Sequence, residues 1–393
     1  MEFSKKLQQL PPQFFANLVQ KVNAALAEGR DIINLGQGNP DKPTPPNIIS
    51  AMQRAAEDPI SHKYPPFRGI QQLREAVADF YLREYGVHID PNTEVAVMGG
   101  TKTGLVELPL ALLNPGDTML LPDPGYPDYI SGAVLAEANY ELMPLLAQNQ
   151  FLPDYEALSD EIKERAKLLY INYPNNPTGG VADMAFFNET VALAQEHDIA
   201  IVHDFAYSAI GYDGEKPISF LQAEGAKDVG IEFYTLSKTY NMAGWRVGMA
   251  VGNAKMIEAI NLIQDHLFCS IFPGIQHAAV EALNGDQTPV FELQAMYERR
   301  RNVLVEQCHR IGWDVQAPKG SFFAWLPVPK GYTSEEFTDL LLDKADVAVA
   351  SGNGFGEHGE GYVRVGLLVS EERLVEAIHR IEKLGIFAKE TVK

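Results

Sequence analysis

The sequence predicts an α/β fold, with a large domain on a mostly parallel central sheet followed by a smaller α+β domain. Three observations carry this. Short runs rich in Val, Ile and Leu alternate with longer segments of helical period. The runs are continuously apolar, as strands covered by helices on both faces require. After about residue 285 the alternation gives way to a charged helix and then Trp- and Phe-bearing strands. At 393 residues the chain is also longer than one core usually serves.

The predicted strands are 95–98, 118–121, 168–173, 199–203, 233–236 and 247–251, with helices between them such as 186–196. They place the large domain at 46–284. The smaller domain takes 285–393, joined by an N-terminal segment at 1–45. Within it a helix is expected at 291–307, a strand region at 313–326, an apolar segment at 346–350, a strand at 362–369 and a last helix at 371–384.

Lys plus Arg total 32 against 52 Asp plus Glu, a formal charge of −20. That excludes binding to nucleic acid or an anionic membrane through the bulk field, so an anionic ligand must be held by a local cluster. The two cysteines, Cys269 and Cys308, fit no metal or C-x-x-C pattern and read as free thiols of a cytoplasmic protein. Residues 1–12 hold no stretch suited to a signal peptide, and no apolar run reaches the roughly 18 residues a membrane span needs.

In an open parallel sheet, ligands bind at the carboxyl ends of the strands. Strand 95–98 is followed by Gly99-Gly100-Thr101-Lys102, and strand 168–173 by Pro174-Asn175-Asn176-Pro177-Thr178-Gly179. Strand 199–203 runs into Asp204-Phe205-Ala206-Tyr207, and 233–236 into Ser237-Lys238-Thr239-Tyr240, with Arg246 beyond. Singly, these read as a tight turn with its N-cap, turn chemistry, a salt-bridged Asp and surface cations. Together they suit one cofactor. A lysine at the head of a buried strand forms a Schiff base with a carbonyl compound. Pyridoxal 5'-phosphate needs that lysine, a partner for its ring nitrogen and an anion site for its phosphate. Asp204 suits the ring nitrogen, making the ring an electron sink. Thr101, its neighbouring backbone and Arg246 suit the phosphate.

The run from Tyr234 through Leu236-Ser237-Lys238-Thr239-Tyr240-Asn241-Met242-Ala243-Gly244-Trp245-Arg246 to Gly248 resembles the cofactor-lysine motif of class I aminotransferases, the fold type I, aspartate aminotransferase superfamily. Asp123-Pro124-Gly125-Tyr126-Pro127, Asn175-Asn176-Pro177-Thr178-Gly179 and Asp204-Phe205-Ala206-Tyr207 match its other landmarks in order. The resemblance implies a fold type I transferase acting on amino acids and 2-oxo acids. Lys238 would hold the cofactor and shuttle the proton. Asp204 would pair with the pyridine nitrogen. Asn176 and Tyr207 would hydrogen-bond the phenolic oxygen, and Tyr126 would stack on the ring. Gly100, Thr101, Lys102, Thr235 and Arg246 would surround the phosphate, Thr101 and Lys102 partly through backbone N–H groups. Tyr64 would reach the phosphate of a neighbouring subunit, which implies a homodimer with shared sites. Gly38 and Asn39, with Asn176, would line the substrate carboxylate site. Members often carry Asp-Glu where this chain has Asp204-Phe205; the first carboxylate is the one that matters.

Arg364 stands inside the apolar run Tyr362-Val363-Arg364-Val365-Gly366. A buried guanidinium needs a carboxylate, from the protein or from a substrate. The resemblance favours the substrate α-carboxylate. Aspartate-specific members carry a second arginine some thirty residues after the lysine, where this chain has Leu267-Phe268-Cys269-Ser270-Ile271-Phe272-Pro273-Gly274. An apolar side chain is therefore expected in the substrate, with Phe14 and Phe15 candidates for its pocket or for plain packing. Gln13-Phe14-Phe15-Ala16, Leu35-Gly36-Gln37-Gly38-Asn39-Pro40 and Val202-His203-Asp204-Phe205 resemble bacillus-type methionine-salvage transaminases, which aminate 4-methylthio-2-oxobutanoate. Diaminopimelate, alanine and aromatic aminotransferases share the frame, as do carbon–sulfur β-lyases. A cofactor-sensing regulator would need a DNA-binding module, and the motifs already begin at residue 35.

Overall fold

The computed structural model describes residues 2–387. β1 (Val95–Met98), β2 (Thr118–Asp123), β3 (Asn139–Pro144), β4 (Ala166–Ile171), β5 (Ala200–Asp204), β6 (Gly230–Thr235) and β7 (Gly248–Gly252) form one sheet in the order β1-β7-β6-β5-β4-β2-β3. Neighbours pair in parallel except at β7, which runs against both β1 and β6. Every residue of β1, β2, β6 and β7 is buried. Adjacent residues feed opposite cores. Leu169, Ile201, Tyr234 and Val251 enter one, and Leu168, Val202, Phe233 and Ala250 the other. That two-sided burial is why these strands read as continuous apolar runs.

β3 is the one large-sheet strand that the apolar-run reading does not include. It lies at the sheet edge, and Asn139, Tyr140 and Leu142 are exposed, so its sequence carries no apolar run.

β8 (Phe323–Pro327), β9 (Ala350–Ser351) and β10 (Tyr362–Gly366) make an antiparallel sheet in the order β9-β10-β8. The strand expected over 313–326 begins only at Phe323, because the segment before it turns through Pro318 and Gly320. The apolar segment at 346–350 divides between two partners. Val347–Ala348 pairs with Ile33–Asn34, while Ala350–Ser351 pairs with β10. The N-terminal segment therefore joins the second core, which unites Ile33 and Leu35 with residues such as Leu304, Phe337, Val365 and Ile378. Tyr207 and Tyr212 also enter this core, although they follow β5 of the large sheet. Helix Phe14–Ala27 packs in two smaller clusters, Val22 and Ala25 with Leu342 and Ala348, and Phe14, Phe15 and Leu18 with Trp325 and Phe355.

Candidate active site

The carboxyl ends of β1, β4, β5 and β6 converge on a cavity of about 280 Å³. β7 runs the other way, so its amino end lies on the same edge. This brings Arg246, which precedes β7, to residues that follow the other strands.

Asp204 closes β5 and is buried. Tyr129 donates its hydroxyl proton to Asp204 Oδ2 at 2.7 Å, while Oδ1 has no hydrogen-bond partner among the described residues. Burial raises the carboxyl above its ordinary value, opposed by the Tyr129 bond and by the charges of His203 and Lys238. Asn172, just after β4, donates its amide to the Asp204 carbonyl at 2.6 Å and accepts the Asn176 N–H at 2.8 Å. One amide thus fixes Asp204 and Asn176 together.

Thr235 caps the short helix Leu236–Thr239, accepting the Ser237 N–H at 3.2 Å. That turn aims Lys238 into the cavity, where Nζ donates to the Gly38 carbonyl at 3.0 Å. Burial, with Arg364 and Arg246 nearby, brings the Lys238 amine down to about 8. The amine is therefore available in neutral form near physiological pH, as a nucleophile and proton acceptor must be.

After β1 the chain turns through Gly100 into helix Thr101–Leu112. Gly100 has φ +95°, which favours glycine, and a Cβ there would push the Arg246 guanidinium aside. The first N–H groups of this helix have no intrahelical partner and face an arginine across a glycine, which makes an anion cradle. Arg246 is exposed and spends Nη1 on the Ala243 carbonyl at 3.0 Å. The Lys102 ammonium instead meets Asp128 at 2.9 Å, so Lys102 offers the cradle its backbone rather than its charge.

Arg364 is 1% exposed. Nη1 donates to Asn176 Oδ1 at 2.9 Å and Nη2 to the Gly36 carbonyl at 3.0 Å, and Nε has no partner among the described residues. Phe323, Phe355 and Phe15 lie 3.9, 4.7 and 5.1 Å from its guanidinium carbon. Burial pushes the guanidinium down to about 9, still protonated at neutral pH. Of the two readings of this arginine, the one with a protein carboxylate finds no such partner among the described residues.

Gly38, Tyr126 and Tyr207 line the same cavity, and burial holds both tyrosines well above the ordinary phenol range. Asn39 is exposed and outside the lining; the Gly36 and Gly38 carbonyls instead accept from Arg364 and Lys238. Tyr64 is 90% exposed and also lies away from the cavity of its own chain. Sequence reasoning missed Asn172, Ser237, Phe323 and Tyr129. Asn172 had a signal, as the polar interruption in the run Leu168-Leu169-Tyr170-Ile171-Asn172-Tyr173.

Residues 30–381 match the family described as aminotransferase class I and II. The chain belongs to that family. It is 66% identical over 391 residues to the L-glutamine–4-(methylsulfanyl)-2-oxobutanoate aminotransferase of Bacillus subtilis strain 168, covering 100% of this chain and 98% of that one. It is 46% identical over 384 residues to the LL-diaminopimelate aminotransferase of Moorella thermoacetica, covering 98% of each. Among solved structures, substrate-bound BacF of Bacillus subtilis matches with a TM-score of 0.95 and 47% identity, covering 100% of both chains. The protein is an aminotransferase, and aminotransferases of this class use pyridoxal 5'-phosphate. The residues of this aminotransferase fit that cofactor. Asp204 Oδ1 is a buried acceptor in want of a donor, Lys238 is a buried amine, and Gly100 lets the Arg246 guanidinium lie against the start of the helix that follows it.

Proposed function

We propose that this aminotransferase prefers amino acids and 2-oxo acids with apolar side chains, of the methionine and 4-methylthio-2-oxobutanoate type. The observation that carries the proposal is the setting of Arg364, a single buried guanidinium without an acidic partner among the described residues, walled by Phe15, Phe323 and Phe355. Of the other cations lining the cavity, Lys102 is paired with Asp128, and Lys238 and Arg246 are assigned to the cofactor. A cation beside Tyr64 on a partner subunit, Lys63 or Arg68, is the remaining alternative, and Arg68 makes a two-pronged pair with Glu258 at 2.8 and 3.0 Å. The 66%-identical relative, named for glutamine and 4-(methylsulfanyl)-2-oxobutanoate, supports the same class.

In this reading Arg364 grips the α-carboxylate, with Asn176 holding the guanidinium in place. The bound cofactor supplies an electron sink for the substrate α-carbon. Lys238 takes and returns the proton at that carbon. Asp204 answers the ring nitrogen, Asn176 and Tyr207 the phenolic oxygen, and Tyr126 covers the ring. Gly100, Thr101, Lys102, Thr235 and Arg246 hold the phosphate, and Gly38 closes the carboxylate side.

Burying an unpaired side-chain carboxylate costs several kcal/mol, while burying a thioether side chain gains about 1–3 kcal/mol. With one fixed amino donor, 4-methylthio-2-oxobutanoate should therefore exceed oxaloacetate in kcat/KM by about ten-fold or more. A preference for oxaloacetate would remove the apolar-pocket reading and leave the aminotransferase assignment standing.

The reading also makes the working unit a cytoplasmic homodimer. Ile60, Tyr64, Phe67, Leu262 and Leu267 are each more than half exposed, on two segments tied together by the Arg68–Glu258 pair. An apolar surface of that kind suits a partner subunit, from which Tyr64 would reach across to the phosphate site. Mixing a Tyr64→Phe protein with a Lys238→Ala protein should give hybrids with one intact site and activity above that of either parent. Free thiols at Cys269 and Cys308 accord with a reducing compartment.

A further inference from the structure

Asp123 ends β2 with its side chain 1% exposed, and the cofactor and substrate roles above leave it unused. A carboxylate buried this deeply needs donors. Its Oδ2 finds them in the small domain, while Oδ1 has no hydrogen-bond partner among the described residues. His358 gives Asp123 Oδ2 its backbone N–H at 3.3 Å and its ring Nδ1–H at 2.6 Å. One turn earlier, the Gly125 N–H donates to the Phe355 carbonyl at 2.8 Å. Between these two anchors stands Gly356, with φ +134°, where a Cβ would overlap the Asp123 carboxylate. The 352–359 turn is therefore seated on residues 123–125 at three adjoining points.

What the turn holds explains why this matters. Phe355 is 4% exposed and lies 4.7 Å from the Arg364 guanidinium carbon, edge-on to Phe14 and Phe15 at 5.5 and 5.8 Å. The segment it is fastened to continues directly into Tyr126, which lines the cofactor cavity. We propose that Asp123 and His358 are a positioning pair for substrate. They fasten the Phe355 turn of the small domain to the Tyr126 segment of the large one, and so fix the aromatic wall of the Arg364 site. The proposal rests on Arg364 being the carboxylate clamp. Neither residue touches substrate. The pair acts on how well the clamp is formed, and therefore on binding more than on turnover.

The test uses the cofactor-loaded enzyme and 4-methylthiobutanoate, an acid with neither an amino nor an oxo group. Its binding is measured by titration calorimetry, beside KM and kcat for a reacting pair. His358 is 37% exposed, so His358→Ala should fold, as a melting curve verifies. His358→Ala should weaken acid binding and raise KM about ten-fold, the usual scale for losing a hydrogen bond to a buried charge, with kcat changing much less. His358→Asn, whose amide reaches the place of Nδ1, should restore most of the affinity. Arg364→Gln serves as the control. If Arg364→Gln binds the acid as wild type does, the clamp reading fails and this proposal with it. If Arg364→Gln loses binding but His358→Ala keeps wild-type affinity and KM, the positioning pair alone is overturned. An Asn variant as weak as the Ala variant would also overturn it, because the hydrogen bond would then not be what matters.

Discussion

Lys238→Ala should abolish transamination, lowering the half-reaction rate by at least about 10⁴-fold while leaving the fold intact. In the proposed reading two tasks fall on this one amine, covalent attachment of the cofactor and proton transfer at the substrate α-carbon, and among the described residues no other lysine is placed to take over. Lys102, the other lysine lining the cavity, is tied to Asp128. The fold should survive because the Lys238 amine makes one hydrogen bond, to the Gly38 carbonyl, and its charged form is disfavoured by burial. The measurement is the absorbance change of the loaded enzyme on adding a single amino acid, with a melting curve for stability. Near-normal conversion would mean that Lys238 is the wrong lysine. The wild-type chain carries a matching pH signature. Only the neutral amine attacks a carbonyl, and this amine titrates at about 8. Uptake of cofactor by the cofactor-free protein should thus accelerate as pH rises through about 8, whereas an unperturbed lysine would require pH near 10.4.

The large sheet was legible because its strands are buried on both faces. Leu168 and Leu169, or Phe233 and Tyr234, go to opposite cores, and two apolar neighbours in a row are what such a strand must show. The site was legible for a related reason. Each parallel strand delivers its chemistry just past its carboxyl end, so strand positions bring Lys238, Asp204, Asn176 and Thr101 to one edge, while the part given to Asn176 rests only on the family resemblance. Arg364 was conspicuous as a charge within an apolar strand.

What the sequence hid follows from the same physics. β3 is half-exposed at an edge and looks like a loop. Tyr129 supports Asp204 from a helix and is separated from it by 75 residues, a pairing no local pattern encodes. The small-domain strands are two to five residues long and split between partners at Val349, so an apolar segment there fixes neither pairing nor register. Asn39 sits beside Gly38 in the sequence, but only Gly38 turns to the cavity, since one peptide step reverses the direction of the chain's groups.

Asp204→Asn should keep the cofactor yet lose about 10²–10³-fold in rate, the scale of removing one preorganised electrostatic partner. The substitution preserves shape. The Asn172 amide donates to the main-chain carbonyl of residue 204 and is indifferent to the change, and Tyr129 can still donate to an amide oxygen. What is lost is the negative charge. Burial raises the Asp204 carboxyl above its ordinary value, opposed first by the Tyr129 hydrogen bond, and its Oδ1 is left without a partner among the described residues. A carboxylate so placed answers a cationic N–H, and the pyridine nitrogen of the cofactor is the group of the right kind. In the proposed reading a neutral amide there would no longer favour a protonated ring nitrogen, which is the state in which the bound cofactor would supply its electron sink. Two measurements separate this from a folding defect. Cofactor affinity, read by titrating the cofactor-free variant, should change far less than the rate. A cofactor analogue methylated on the ring nitrogen carries its positive charge permanently and should recover part of the lost rate in the variant. Normal cofactor affinity with no recovery by the analogue would show that the Asp204 charge serves some purpose other than the ring nitrogen.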